Sequence, residues 1–357
     1  MVTEKGLLEW GFGNRFEEAF RPLADAGLVP ARVISGQGRL LRLGTAEGEV
    51  EGEISGRLRH ESRSSANLPT VGDFVGCEKR PGSVWRVHAV LPRLSAFSRR
   101  AAGDDGEEQV LAANVDTVFL VAGLDSNFSP RRIERALVLA WESRARPVVL
   151  LTKPDRCDDP EARRVEMEAS APGVPVHVLS PKHGTGVEAL EGYLGRGETL
   201  VLLGSSGVGK STLVNRLLGE ERHKTAEVRR ADSRGRHTTT RAALVQLPSG
   251  ALILDTPGLR ELQLWGGTLG LVDAFPEIDR LAPECRFRDC RHGTEPGCAV
   301  RAAVLAGRVD VDRLESLVKL RAEVERADSP RDVPRRVEEK NRWRPVHKAL
   351  RTFRPRG

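Results

Sequence analysis

Thr199-Leu200-Val201-Leu202-Leu203-Gly204-Ser205-Ser206-Gly207-Val208-Gly209-Lys210-Ser211-Thr212 is the stretch that decides the fold. A short apolar run, strand-like in texture, enters a glycine-rich turn, and a helical pattern over 210–218 leaves it. The turn reads GxxxxGKS in the setting that gives this motif its meaning, strand before and helix after. Its glycines let backbone N–H groups turn inward and approach phosphate oxygens. The helix start contributes its positive end. Lys210 offers a point charge to β- and γ-phosphates, and the Ser211 hydroxyl is a ligand type for Mg²⁺. The candidate phosphate-binding set is therefore Gly204, Ser205, Ser206, Gly207, Val208, Gly209, Lys210, Ser211 and Thr212.

Around this loop the chain alternates apolar and helical segments. Strand-like runs lie at 117–122, 147–151, 174–179, 243–247 and 251–254, and helical patterns at 130–144, 159–171 and 186–194. Short, wholly apolar strands separated by helices predict a mostly parallel sheet covered on both faces, an α/β fold. The run 251–254 ends in Asp255-Thr256-Pro257-Gly258. A carboxylate there can hold Mg²⁺ through water, and the Gly258 N–H can sense a γ-phosphate. Between the two elements lies Gly235-Arg236-His237-Thr238-Thr239-Thr240, a segment suited to closing on Mg²⁺. Spacing does not say which of Thr238, Thr239 and Thr240 takes the metal.

A phosphate loop does not choose a base. Thr152-Lys153-Pro154-Asp155, at the end of the run 147–151, resembles the NKxD element of GTPases, with Thr152 where asparagine is usual. In that element the aspartate accepts two hydrogen bonds from guanine that adenine cannot donate, and the lysine stem packs on the base. Ser180-Pro181-Lys182 resembles the SAK element, with Pro181 in place of alanine. Both precede the phosphate loop, the reverse of the ordinary order. Cutting an ordinary G domain after its DxxG strand and rejoining the ends gives this arrangement, so the expected domain is circularly permuted. Chain connections lie at the surface, which lets the sheet survive such a cut. The segment after Gly258 then leads straight into the following domain. Leu259 stands where a water-orienting glutamine is common. An apolar side chain cannot orient water, so slow intrinsic turnover is expected, with His237 the internal candidate and Lys210 the other catalytic assignment.

Farther along, Cys285, Cys290, His292 and Cys298 form C-x4-C-x-H-x5-C. Three thiolates and one imidazole make a closed tetrahedral Zn²⁺ set, a structural rather than catalytic site. Five cysteines in 357 residues, three of them in this cluster, argue against a disulfide framework. Residues 29–95 carry short alternating runs broken by Gly and Ser, predicting a small OB-like β-barrel. The expected organisation is a helical lead-in at 1–28, the barrel at 29–95, a polar linker at 96–114, the GTPase domain at 115–262, and a zinc-binding and basic helical domain at 263–357.

Charge points to a polyanion. The net charge is +6, and residues 331–357 alone carry ten Lys/Arg against three Asp/Glu, a surplus larger than that of the whole chain. Trp343 and Phe353 interleave with those cations, a composition suited to RNA phosphates and bases. No run of 18 apolar residues exists, and the start lacks a basic region followed by an apolar one. The expectation is a cytoplasmic protein with no membrane span, and nothing in the pattern suggests a dimer seam, so a monomer.

Gly204–Ser211, Gly235–Thr240, the run AspThrProGlyLeuArgGlu at 255–261, GluProGlyCysAlaVal at 295–300 and LeuAspSerAsnPheSerProArgArgIleGluArg at 124–135 together resemble the ribosome small-subunit-dependent GTPase A family of bacteria. The resemblance runs from about Val29 onward. It implies an OB barrel, a permuted GTPase and a zinc domain, with Mg²⁺ bound alongside GTP. It also implies binding near the decoding region of the small subunit and its 16S rRNA, hydrolysis stimulated by that subunit, and a role in late maturation. In the family, the histidine matching His237 is linked to hydrolysis. The competing expectations are a zinc-dependent RNA-binding adaptor with a merely structural nucleotide site, and an ATP-using phosphate-loop enzyme. Lys210, Ser211 and Asp255 weigh against the first, and Asp155 with the 180–182 element against the second.

Overall fold

The computed structural model describes residues 4–62, 64–100, 108–219, 242–255 and 268–327. The lead-in is two helices, α1 (Glu4–Leu8) and α2 (Asn14–Asp25). Five strands follow: β1 (Val29–Gln37), β2 (Leu40–Thr45), β3 (Gly48–Ile54), β4 (Phe74–Glu78) and β5 (Trp85–Val90), with a short helix, α3 (Gly56–Glu61), after β3. They close in the order β1-β2-β3-β5-β4-β1, with β3 and β5 parallel and the other pairs antiparallel. That is a five-stranded barrel of the OB kind. Its inside is filled from alternating positions, Ala31 with Val33, Leu41 with Leu43, Val75 with Cys77, and Trp85 with Val87, as the two-residue period of a strand requires.

The stretch expected as a plain linker contains structure. β6 (Ala96–Arg100) and β7 (Glu108–Ala113) pair antiparallel. Phe97, Ala112 and Ala113 are buried while Arg99 donates to Gln109 at 3.1 Å. The charged residues on the hairpin hide its apolar side from a composition reading.

The central domain is built from β8 (Thr117–Gly123), α4 (Pro130–Ser143), β9 (Arg146–Thr152), α5 (Pro160–Ser170), β10 (Val176–Leu179), β11 (Thr199–Leu203), α6 (Lys210–Leu218), β12 (Ala243–Gln246) and β13 (Leu252–Asp255). The expected helix over 186–194 is a 3₁₀ helix, Val187–Tyr193. Strand order is β10-β9-β8-β11-β13-β12, the first five parallel and β12 an antiparallel edge. β8 is buried at all seven positions because helices cover both sheet faces. Val118, Leu120 and Ala122 enter the core on one face, and Phe119 and Val121 the core on the other. A single pairing of Ala243 with Ser35 joins β12 to barrel strand β1.

Two buried arginines fasten the domains together. Arg32, on β1 and 1% exposed, donates to three backbone carbonyls: Trp10 at 2.6 Å, Asn114 at 2.9 Å and Gly72 at 3.2 Å. These belong to the lead-in, the junction before β8 and the barrel. Burial lowers the Arg32 pKa to about 10, with Asp116 and Asp73 opposing that shift. The lead-in also packs Phe12, Phe16 and Phe20 around Phe74 of β4, and it meets the segment before β11 through the Arg196–Glu9 ion pair. There a Cβ on Gly11 would lie 2.4 Å from the Gly197 carbonyl oxygen, so only glycine fits.

The second fastener holds the C-terminal region of α7 (Thr268–Ala274), α8 (Pro276–Leu281), α9 (Ala299–Leu305) and α10 (Val311–Ala327). Arg313 on α10 pairs with Glu134 of α4 at 2.9 Å and Glu277 of α8 at 2.6 Å, and donates to the carbonyls of Ser170 and Ala274, both at 2.9 Å. Its guanidinium lies 4.3 Å from the centre of the Phe275 ring. Among the described residues no helix is long and apolar enough to cross a membrane.

Removing the Arg32 side chain leaves three buried carbonyls without that donor. Arg32→Ala should lower the thermal midpoint by several degrees, the scale of roughly 3 kcal/mol. Arg32→Lys should recover only part, because one ammonium cannot span three divergent acceptors. An unchanged melting curve for the alanine variant would remove Arg32 as a joint.

Candidate nucleotide and metal sites

The parallel strands β9, β8, β11 and β13 all end at one edge of the sheet. Such an edge is where open α/β sheets bind ligands. β11 delivers the loop 204–209 directly onto α6. Gly204, Gly207 and Gly209 have φ of 151°, 80° and 100°, values that side-chain-bearing residues rarely adopt. A Cβ on Gly204 would fall 2.3 Å from the Val121 carbonyl oxygen of β8, so strand packing demands glycine there as well. Gly209 caps α6 without a side-chain hydrogen bond, which leaves the first helical N–H groups to an anion. Lys210 folds back across the loop, its Nζ donating to the carbonyls of Gly204 and Ser205 at 2.6 Å each. Ser211 and Thr212 follow in the first turn. Arg132, in the first turn of α4, donates to Ser205 Oγ at 3.2 Å.

The candidate base-reading residues are brought to this loop from β9. Thr152 is fully buried at the strand end, and its Oγ1 donates to the Val208 carbonyl at 2.6 Å. The Ala122 carbonyl lies 3.2 Å from the same oxygen, but one hydroxyl hydrogen serves one acceptor well, and the shorter contact takes it. The residue that departs from the usual asparagine thus ties the base-reading strand to the phosphate loop. Lys153 has φ 58° and Pro154–Arg156, with Asp155 in its centre, forms a 3₁₀ turn beyond it. The Lys153 Nζ reaches Asp125 Oδ2 at 2.6 Å. Burial pushes the Asp125 carboxyl up, but the bonds from Lys153 and the Asn127 N–H outweigh it and hold the pKa below the usual aspartate value. Ser180, at the end of β10, is buried and its N–H is taken by the Thr185 carbonyl at 2.8 Å. Pro181 has no N–H, so Lys182 carries the first available donor of that loop.

Asp125 and Arg132 were not singled out by sequence reasoning, although both lie in the stretch 124–135. A signal was present: Asp125 is a carboxylate two residues beyond an apolar strand, at the same edge as Asp155 and Gly204. For the magnesium assignment, Ser211 lies in the first turn of α6, and Asp255 is the last residue of β13, its backbone in register with Ala243. The side chain of Asp255, with His237, Thr238, Thr239, Thr240, Gly258, Leu259 and residues 328–357, lies outside the described residues.

The zinc candidates Cys285, Cys290, His292 and Cys298 offer ligand atoms that all lie within 4.8 Å of one another. The His292 Nδ1 stands 3.7 Å from the Cys285 sulfur and 3.5 Å from the Cys298 sulfur, and those sulfurs are 3.9 Å apart. Tetrahedral Zn²⁺ with bonds of about 2.3 Å to sulfur and 2.0 Å to nitrogen sets separations of about 3.8 Å and 3.5 Å. Cys285, His292 and Cys298 already stand at the separations of a zinc site, with Cys290 beside them. Backbone conformation supports it: His292 has φ 62°, which turns its ring back into the cluster, and Cys298 caps α9 by accepting the Arg301 N–H at 3.4 Å. The four ligands leave no open position, so the metal would hold the knuckle together rather than act on a substrate.

Two outcomes follow from this geometry. Thr152→Val keeps the shape and removes the tether to Val208, so GDP and GTP affinity should fall by roughly threefold to tenfold, read by fluorescent-nucleotide titration. Equal affinity would show that the tether does not place the loop. Cys290→Ser should lose bound zinc and the thermal stability of the knuckle, because metal-binding free energy is folding free energy there. Full zinc stoichiometry in that variant would remove Cys290 from the ligand set.

The family model described as RsgA GTPase matches residues 90–265, from the last residue of β5 through the phosphate loop to ten residues beyond β13. A small ribosomal subunit biogenesis GTPase RsgA of Opitutus terrae is 47% identical over 355 residues, 97% of each chain. A protein of the same name from Syntrophotalea carbinolica is 44% identical, covering 96% of this chain and 98% of its own. Among solved structures, YjeQ from Thermotoga maritima matches with a TM-score of 0.63 and 26% identity over 83% of this chain and 98% of that one. YloQ, described as a circularly permuted GTPase, matches with a TM-score of 0.59 over 85% and 96%, and at 22% identity it speaks to the fold alone. With identities of this size sustained from one end to the other, and with the phosphate-loop strand entering the sheet after the base-reading strands, the chain belongs to the RsgA GTPase family.

Proposed function

We propose that this GTPase is a switch in late maturation of the small ribosomal subunit. It binds GTP with Mg²⁺, docks on the subunit and its 16S rRNA, hydrolyses GTP to GDP and phosphate, and changes its hold on the subunit as it does so. The relatives' names carry the subunit assignment. The observation that carries the nucleotide assignment is the Thr152–Val208 hydrogen bond, which joins the base-reading element to the phosphate loop. Thr152, Lys153, Pro154 and Asp155 read guanine. The loop from Gly204 to Thr212 holds the phosphates, with Lys210 neutralising charge that develops on transfer. Ser211 and Asp255 hold Mg²⁺, and Gly258 senses the γ-phosphate. His237 orients the attacking water, a role that Leu259 cannot fill.

RNA contact falls to the barrel and the zinc-binding end. Arg286, Arg288 and Arg291 surround the knuckle, Phe287 is 41% exposed, and the Arg286 guanidinium lies 5.6 Å from its ring centre. Cations for phosphates beside an exposed ring for stacking suit single-stranded or distorted rRNA. The protein works as a monomer in the cytoplasm, where subunits mature. Mg²⁺ supplies charge neutralisation across the phosphates when bound; Zn²⁺ supplies structure.

Phosphate release from GTP and from ATP, with and without purified small subunits, tests the reading. GTP turnover should be slow alone, rise at least about tenfold with subunits, and vanish in Lys210→Ala, while ATP is turned over poorly. Unstimulated turnover would break the link to the subunit. Subunit-stimulated turnover retained by Lys210→Ala would overturn the phosphate-loop assignment.

A further inference from the structure

Lys153 is held at both ends. At its backbone it occupies the left-handed region, with φ 58°, a conformation unfavourable for a residue with a Cβ. At its tip the ammonium meets Asp125 Oδ2 at 2.6 Å, and the two side chains are only 25% and 12% exposed. Asp125 is itself fixed. Its Oδ1 accepts the Asn127 N–H at 3.0 Å, and the Leu124 N–H just before it donates to the Thr152 carbonyl at 2.8 Å. The loop after β8 and the loop after β9 are thereby locked to each other, and the lysine stem runs between two anchors.

An unanchored lysine carries large rotamer freedom, all of which a stacking base would have to remove. A carboxylate that takes the Lys153 ammonium keeps the four-carbon stem extended and available as a flat apolar surface. Thr152 supplies fewer donors here than an asparagine would. Asparagine at that position would offer two N–H donors and a carbonyl; the threonine hydroxyl has one hydrogen and directs it to Val208. The bond between the β8 and β9 loops that a second amide donor could make is here made by Asp125 and Lys153.

We propose that Asp125 is a positioning residue for guanine recognition, an ionic anchor that pre-orders Lys153 as the platform on which the base lies. The proposal rests on the assignment of 152–155 as the base-reading element. Asp125 touches no nucleotide in this role; it acts through Lys153.

The decisive variant is Asp125→Asn in the full chain. It keeps an oxygen for the Asn127 N–H, and so keeps the turn, but loses the charge that holds the ammonium. GDP and GTP dissociation constants should rise about tenfold, the scale of one charge-assisted hydrogen bond. KM for GTP should rise in step, while subunit-stimulated kcat stays within about twofold. In a Lys153→Ala background, Asp125→Asn should have no further effect on GDP affinity. A carboxylate that merely shapes the turn predicts wild-type GDP affinity for Asp125→Asn and loss only in Asp125→Ala, and that result overturns the proposal. An equal penalty with and without Lys153 also overturns it. If Lys153→Ala itself binds GDP as the wild type does, the base-reading assignment fails first, and the anchor fails with it.

Discussion

The hydroxyl of Thr152 and the carbonyl of Val208, 2.6 Å apart, mark the constraint on which the molecule depends. A nucleotide is held by its base and by its phosphates, and the segments proposed for those two tasks meet here through residues 56 positions apart. The sheet solves most of the problem. β9 and β11 flank β8 in parallel, so their ends emerge at one edge regardless of the order in which the chain visits them. The hydroxyl then bonds one loop to the other. Permutation is tolerated for that reason: parallel pairing and burial on both faces do not depend on where the chain is cut, provided the cut falls in a surface connection.

The domains beyond the sheet share an apolar core with it, and buried cations fix how they meet. Arg32 gathers carbonyls from the lead-in, the barrel and the approach to β8, and Arg313 gathers α4, α5 and α8 onto α10. A buried guanidinium is costly to desolvate, and an apolar replacement of the same shape often stabilises as well. What an arginine adds is direction: several donors in a fixed fork accept one arrangement of carbonyls and carboxylates. Arg313, on α10, reaches through Glu134 to α4, whose first turn meets the phosphate loop through Arg132 and Ser205. The phosphate loop and the C-terminal helices are thus physically connected through α4.

Much of this was legible in the sequence where chemistry is local. The glycine-rich turn, the strand runs around it and the Cys/His cluster are each determined by neighbours within about twenty residues, and the parallel sheet and barrel follow from apolar periodicity. The pairing of β6 with β7 was not legible because Arg99, Arg100 and Glu108 lie among its partners and its buried residues are only Phe97, Ala112 and Ala113. The lead-in could be read as helical but not placed, because its destination, Phe74 and Gly197, lies far along the chain.

The sequence by itself determined the order of a glycine-rich phosphate loop, a TKxD element and a C-x4-C-x-H-x5-C set, because each depends on short-range spacing of residues with fixed chemistry. Only the tertiary structure decided what Thr152 does in place of asparagine, that Asp125 anchors Lys153, and that single arginines fasten the domains. A hydrogen bond or ion pair between residues 28, 56 or 179 positions apart has no periodicity to betray it. It is set by how strands and helices stack in three dimensions, and that becomes definite only when the core is packed.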